Sequence, residues 1–366
     1  MLEPLIRQLA ALEPLTDPQV RQAVEQLIDE TVPVSVKAEF LIGLARKGET
    51  MEEIAVFAHE LRGRAIAPQL NGSLRSREIL DVVGTGGDRL GTFNISTTAA
   101  LVAAAAGVLV AKHGNRASTS STGSADVLEA LGIPCDLGPV DAACWLERHG
   151  FAFLFAPKYH PAFKHIIPAR KFCAERGQAT IFNILGPLLN PALPSAALVG
   201  VARPELCEPL AGVLRRLGVR RGMVVCGTAR DDSGEVRYLD ELSPLGPTTI
   251  AEFYQEKGLS ISILDPGSFP VKRANLSDLQ GGGRDVNAKI IVGILRGEDR
   301  GPRREAVLLN SAGALFVAGA TRNMIEGWEM AEEVIDSGRA WKKLEELRQS
   351  GEALRTGTEG GAADRL

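Results

Sequence analysis

The sequence predicts an α/β protein: a small, mostly helical N-terminal domain and a larger α/β domain with a mainly parallel central sheet flanked by helices. Two patterns carry this. Apolar residues recur at helical spacing through the first 66 residues, and from Ile79 short β-rich runs alternate with helical stretches. A third observation puts a ligand on that frame. Glycine- and hydroxyl-rich turns follow two of the strand-like runs, and parallel sheets take ligands at the carboxyl ends of their strands.

In chain order, Leu2, Leu5, Ile6, Leu9 and Leu12 share a helical face, as do Val20, Val24, Leu27 and Ile28. Asp17-Pro18 reads as the cap and first-turn proline of the second helix. Thr50 and Glu53 read as a capping box for the helix carrying Ile54, Phe57 and Leu61. A polar connector, 68–77, follows. Strands are predicted at 79–83, 108–111, 151–155, 197–201 and 223–226, with helices near 97–107, 123–131, 140–149 and 205–217. A further strand pair falls at 249–254 and 259–264, and helices dominate 287–348. Residues 228–238 read as an extended polar loop, and 183–191 as a structural loop with turn residues around apolar ones. The small, polar stretch 356–366 predicts a disordered tail.

Composition narrows the function classes. With 366 residues the chain can fill one large domain and a smaller one. A net charge of −4 gives no pull toward nucleic acid or anionic membrane. The N-terminus lacks the basic start and long apolar run of a secretory signal, and no apolar span reaches membrane length. Five scattered cysteines without a C-x-x-C pair predict reduced thiols, no zinc site and a cytoplasmic location.

The chemistry concentrates between Asp81 and Asp126. Gly84-Thr85-Gly86-Gly87-Asp88 and Lys112-His113-Gly114-Asn115-Arg116 form two turns separated by an apolar helical segment. Small residues let backbone N–H groups approach an anion, and the hydroxyls and Lys112 add donors. Such a pair of turns suits a ligand with several phosphates.

With these turns the chain resembles the anthranilate phosphoribosyltransferases. The same resemblance runs through Asn94-Ile95-Ser96-Thr97, Gly123-Ser124-Ala125-Asp126, His160-Pro161-Ala162-Phe163-Lys164 with Arg170, Thr180 to Pro191, and Asp240-Glu241-Leu242-Ser243. It implies a helical domain over 1–70, joined by a returning segment at 157–178, and a phosphoribosyl-diphosphate-binding domain over 78–156 and 179–350. It also implies a homodimer formed through the helical domain, and no nucleic-acid or membrane partner. By resemblance, Gly84, Gly87, Asp88, Thr92, Asn94, Ile95, Ser96 and Thr97 contact phosphoribosyl diphosphate. Lys112, His113, Gly114, Asn115, Arg116, Ala117, Ser118, Thr119, Ser120 and Ser124 form the second wall. Ser96, Asp240 and Glu241 hold Mg2+, while Gly84, Asn115 and Arg170 receive anthranilate. No general base is assigned, because an aromatic amine is neutral and already carries its lone pair. His113 and His160 read as structural or pocket-lining, and Phe93 and Phe163 as core. In this chain 171–179 is longer than the family pattern, and Ala179 stands where arginine commonly precedes Thr-Ile-Phe-Asn. Pyrimidine nucleoside phosphorylases share the architecture, but their second turn reads Ser-Gly-Arg after lysine, and they lack the Asp-Glu pair.

Overall fold

The protein is described by a computed structural model covering residues 1–117, 121–254 and 258–356. Predictions for Ser118, Thr119, Ser120 and the tail beyond Thr356 lie outside the described residues. Helices α1 (Glu3–Ala10), α2 (Asp17–Ile28), α3 (Val34–Lys47) and α4 (Met51–Gly63) open the chain, followed by the single turn α5 (Gly72–Arg75). Leu12 falls outside α1, at a φ of 60° and exposed, so the apolar face of that helix ends at Leu9. Thr16, rather than Asp17, caps α2: its N–H donates to Gln19 Oε1 at 2.8 Å, and Asp17-Pro18 fill the first turn. Thr50 and Glu53 cap α4 reciprocally, at 3.2 and 2.8 Å.

From there strands and helices alternate: β1 (Ile79–Gly84), α6 (Ile95–Ala105), β2 (Leu109–Gly114), α7 (Ser124–Ala130), α8 (Pro139–His149) and β3 (Phe151–Phe155). The chain then returns to the helical region through α9 (Ala156–Tyr159) and α10 (Ile167–Ala174). Buried Lys37 of α3 fastens this return, donating from Nζ to Asp29 O at 2.6 Å and His165 O at 3.0 Å. Ile166, Ala169 and Cys173 complete the helical core. The short α11 (Phe182–Leu185) leads to β4 (Ala196–Gly200), α12 (Cys207–Arg216), β5 (Arg221–Arg230), β6 (Val236–Leu239), β7 (Thr248–Tyr254) and β8 (Ser260–Leu264). Helices α13 (Arg284–Leu295), α14 (Pro302–Val317), α15 (Met324–Asp336) and α16 (Arg339–Thr356) finish the described chain.

The strands form one eight-stranded sheet, ordered β3-β2-β1-β4-β5-β7-β8, with β6 paired to β5. Pairing is parallel from β3 to β5 and antiparallel beyond. The predicted polar loop at 228–238 is instead a hairpin: β5 runs on to Arg230 and β6 returns from Val236. Its polar letters concealed strands that project into water, where Val236, Arg237 and Tyr238 are exposed. A hydrophobic core lies on each side of the sheet. One gathers β1–β3 with α6–α8 and α13–α16. The other joins the helical region, α10 and α12 to Ala197, Val199, Val224, Ala251 and Phe253 of the opposite face. Among the described residues no helix is long and apolar enough to cross a membrane.

Candidate active site

Strand order reverses between the parallel neighbours β1 and β4, because β2 and β3 continue on one side of β1 and β4 lies on the other. Asp240, just after β6, lies across the carboxyl ends of both strands. A Cβ on Gly84 would stand 2.2 Å from Asp240 Oδ2, and one on Gly200 would stand 1.6 Å from Asp240 O. Both positions must therefore be glycine for the acid to seat. Gly86 N–H donates to Asp240 Oδ2 at 2.6 Å, and Ser96 N–H, in the first turn of α6, donates to Glu241 Oε1 at 3.0 Å. The acidic pair thus pins the first turn at Gly86 and the start of α6 at Ser96, with Glu241 at the positive end of a helix dipole.

Asp88 stands beside Asp240. Burial first, then each other's charge and the hydrogen bond they share, hold Asp88 well above the usual carboxylate range; burial also raises Asp240 and Glu241. These carboxyl oxygens and the Ser96 hydroxyl are hard donors suited to magnesium, which commonly takes one or two carboxylates plus phosphate oxygens. No cluster of three or more His, Cys, Asp or Glu among the described residues would hold an ion alone.

The second turn begins later than expected. Lys112, His113 and Gly114 continue β2, and the bend starts at Asn115. Lys112, placed in the phosphate wall by the sequence, lies buried beneath it: Nζ donates to the Val82 carbonyl, burial lowers its pKa, and the charge of Asp81 opposes that most strongly. Asp81, raised to about 6 by burial, accepts from His113 N–H at 3.3 Å and from Asn190 Nδ2 at 2.7 Å. Arg116 is occupied as well. It pairs with Asp126 at 3.1 Å and Glu129 at 2.6 Å, so its charge is balanced locally rather than offered to phosphate. Asn115 is exposed at the bend, and its carbonyl accepts from Ala125 N–H at 3.2 Å and Ser124 Oγ at 3.3 Å. Exposed Ala117 gives its N–H to Asp126 at 2.9 Å.

In the first wall, Gly84 and Gly87 shape the turn, and Thr92 bridges to Gln280. Ile95 is buried in the core, so only its backbone faces the turn. Buried Thr97 has an Oγ1 without a hydrogen-bond partner. Asn94 uses both ends of its amide on protein groups.

An aromatic wall leads away from β2. His113 and His160 meet edge-on at 5.3 Å, His160 and Phe163 lie 5.1 Å apart, and Phe163 meets Phe182 at 5.8 Å. Phe163 is thus a half-buried link in this wall, whereas Phe93 is core. Arg170 of α10 ends the row, 5.3 Å over the Phe182 ring. It is largely buried, makes no ion pair or hydrogen bond through its guanidinium among the described residues, and burial depresses its pKa. Burial holds His113 down at about 3, with His160 adding to the effect, and holds His160 at about 4. Both are neutral at physiological pH. The 183–191 loop orients them: His160 Nε2 meets Leu189 O at 3.0 Å, and Gly186 makes a backbone hydrogen bond to His113. Sequence reasoning missed Asp81, Gly200, Asn190 and Asn287. Only the glycine signal at position 200 was readable there, since the others matter through partners on distant segments.

Residues 3–65 match the family described as the glycosyl transferase family helical bundle domain, and residues 76–341 match its a/b domain. The anthranilate phosphoribosyltransferase of Symbiobacterium thermophilum is 44% identical over 97% of this chain and 99% of its own length. That of Petrotoga mobilis is 43% identical over 92% of each. Among solved structures, the Thermus thermophilus enzyme superposes with a TM-score of 0.84 at 40% identity, covering 95% of this chain and 99% of its own. The Saccharomyces cerevisiae enzyme in complex with PRPP and Mg gives 0.83 at 28% identity, covering 96% and 98%. Near-complete coverage by both sequence and shape, over a switch-point cleft of this chemistry, leaves one assignment: the chain belongs to the anthranilate phosphoribosyltransferase family.

Proposed function

We propose that the cleft between the two turns holds phosphoribosyl diphosphate, with anthranilate against the aromatic wall and its carboxylate on Arg170. The chain transfers the 5-phosphoribosyl group from phosphoribosyl diphosphate to the amine of anthranilate, giving N-(5-phosphoribosyl)anthranilate and diphosphate, a step of L-tryptophan biosynthesis. In this reading Gly84, Gly87, Asp88, Thr92 and residues 94–97 line one side. Asn115, Ser124 and the neighbouring turn line the other. Ser96, Asp240 and Glu241 hold Mg2+, a reading supported by their oxygen donors and by the magnesium complex of the yeast relative. Magnesium, when bound, offsets negative charge on the leaving diphosphate.

The protein's own residues contribute alignment and charge. The start of α6 turns its positive end toward the anionic end of the donor, and the neutral histidines line the acceptor side without requiring protonation. We divide the chain into a helical domain, 1–70 with 157–178, and a donor-binding domain, 78–156 with 179–350. The helical domain is the proposed homodimer surface, and free thiols suit a cytoplasmic location.

The observation that carries the acceptor assignment is Arg170, a largely buried cation with an aromatic neighbour and no acid partner among the described residues. Such a cation suits two parallel hydrogen bonds from a carboxylate. Arg170→Ala is expected to raise the anthranilate KM by about ten-fold or more, leaving that of phosphoribosyl diphosphate nearly unchanged. Equal increases in both, measured by loss of anthranilate fluorescence, would overturn the assignment.

A further inference from the structure

We propose that Asn287 is a positioning residue for the phosphoribosyl diphosphate site, an inference that rests on the donor-cleft reading above. It closes a ring of hydrogen bonds between the two substrate-facing segments. Asn287 Nδ2 donates to Asn94 Oδ1 at 2.9 Å, and Asn94 Nδ2 donates to Thr122 O at 3.3 Å. Thr122 Oγ1 donates to Gly282 O at 2.8 Å, and Gly282 N–H returns to Asn287 Oδ1 at 2.7 Å. Ser121 Oγ reinforces the junction, reaching Gly282 O at 2.9 Å.

Asn287 itself is 1% exposed, and among the described residues its side-chain hydrogen bonds are those of this ring. The backbone beside it is stitched to the first wall: Gly281 N–H donates to Gly91 O at 2.8 Å and Phe93 N–H to Leu279 O at 3.1 Å. Gly281 permits the approach, since a Cβ there would stand 2.5 Å from Asn287 Oδ1 and 2.7 Å from Phe93 Cα.

The consequence falls on α6. Asn94 occupies its N-cap, where an asparagine side chain ordinarily accepts from the first-turn N–H groups. Here Asn287 and Thr122 hold the amide sideways, and Asn94 makes no side-chain cap bond. Ile95 N–H bonds Phe93 O at 2.7 Å and Ser96 N–H bonds Glu241 Oε1 at 3.0 Å, so among the described residues Thr97 N–H is the first-turn donor left for an anion. Freed from Asn287, the Asn94 side chain would fold back onto the Thr97 N–H and compete there with the diphosphate.

The test compares wild type with Asn287→Ala and with a Ser121→Ala, Thr122→Val pair that cuts the ring at its far side. Each is examined by steady-state kinetics, thermal melting and calorimetric titration of phosphoribosyl diphosphate with magnesium. Both variants are expected to raise the phosphoribosyl diphosphate KM by about ten-fold or more, with anthranilate KM within about two-fold of wild type. Should the first variant fail to fold, the second carries the comparison. Equal changes in both KM values, or a lowered melting temperature with unchanged KM, would overturn the positioning role. If wild type binds the donor and the variants bind it equally, this inference alone falls. If wild type does not bind it, the donor-cleft reading falls as well.

Discussion

Asp88, Asp240 and Glu241 crowd one another at the switch point, and burial holds all three carboxyls above their ordinary range. The folded apo protein therefore binds more protons there than the unfolded chain, so stability present at low pH is lost as pH rises through these raised values. A divalent ion bound by ionised carboxylates reverses that loss. Magnesium with phosphoribosyl diphosphate is expected to stabilise the protein more at pH 8 than at pH 6, and to bind more weakly at pH 6, in thermal-shift and calorimetric titrations. An Asp240→Asn, Glu241→Gln variant should lose this pH-dependent response together with magnesium-dependent turnover. An unchanged response would remove the metal role. His113 and His160 act in the opposite sense. Their depressed values, about 3 and about 4, cost stability as pH falls below about 6.5, where the unfolded imidazoles protonate. The acidic pair and Arg170 were legible in the sequence because neighbouring motifs fixed their register. Asp81 and Asn287 were not, because each is a single polar letter whose partners lie at residues such as 190 and 94.

At the scale of elements, the alternation of strands and helices after Ile79 was legible because buried parallel strands read as apolar runs. The β5–β6 hairpin was not, since β6 faces water over Val236–Tyr238 and polar residues flank the turn. Thr16 was overlooked as a cap because Asp17-Pro18 offered a competing signal, and sequence alone does not separate N-cap from first turn. The end of β4 is where element and site depend most closely on each other. Gly200→Ala is expected to push Asp240 off the strand ends, lowering stability by about 1–3 kcal/mol and weakening magnesium-dependent donor binding. Melting and calorimetry on the same sample check it. Full retention of both would mean that the Asp240 backbone can yield at that contact.

Across the whole molecule, the helical region has no core separate from the sheet. Its apolar residues merge with Ala197, Val199, Val224 and Phe253 on one sheet face, and the return through α10 ties it in again at Lys37. One cooperative unfolding transition is therefore expected by calorimetry, with van't Hoff and calorimetric enthalpies in agreement. Two resolved transitions would show that the parts fold independently. The exposed β5–β6 tip is closed on itself, with Asp231 Oδ1 accepting from Ser233 N–H and Glu235 N–H, each at 3.0 Å. A chain severed between Asp232 and Ser233 would leave both glycine turns and Arg170 in one fragment, and Asp240, Glu241 and Asn287 in the other. Neither fragment could process substrate unaided, so restored turnover on mixing would convert the enzyme into a complementation reporter for whatever brings its halves together.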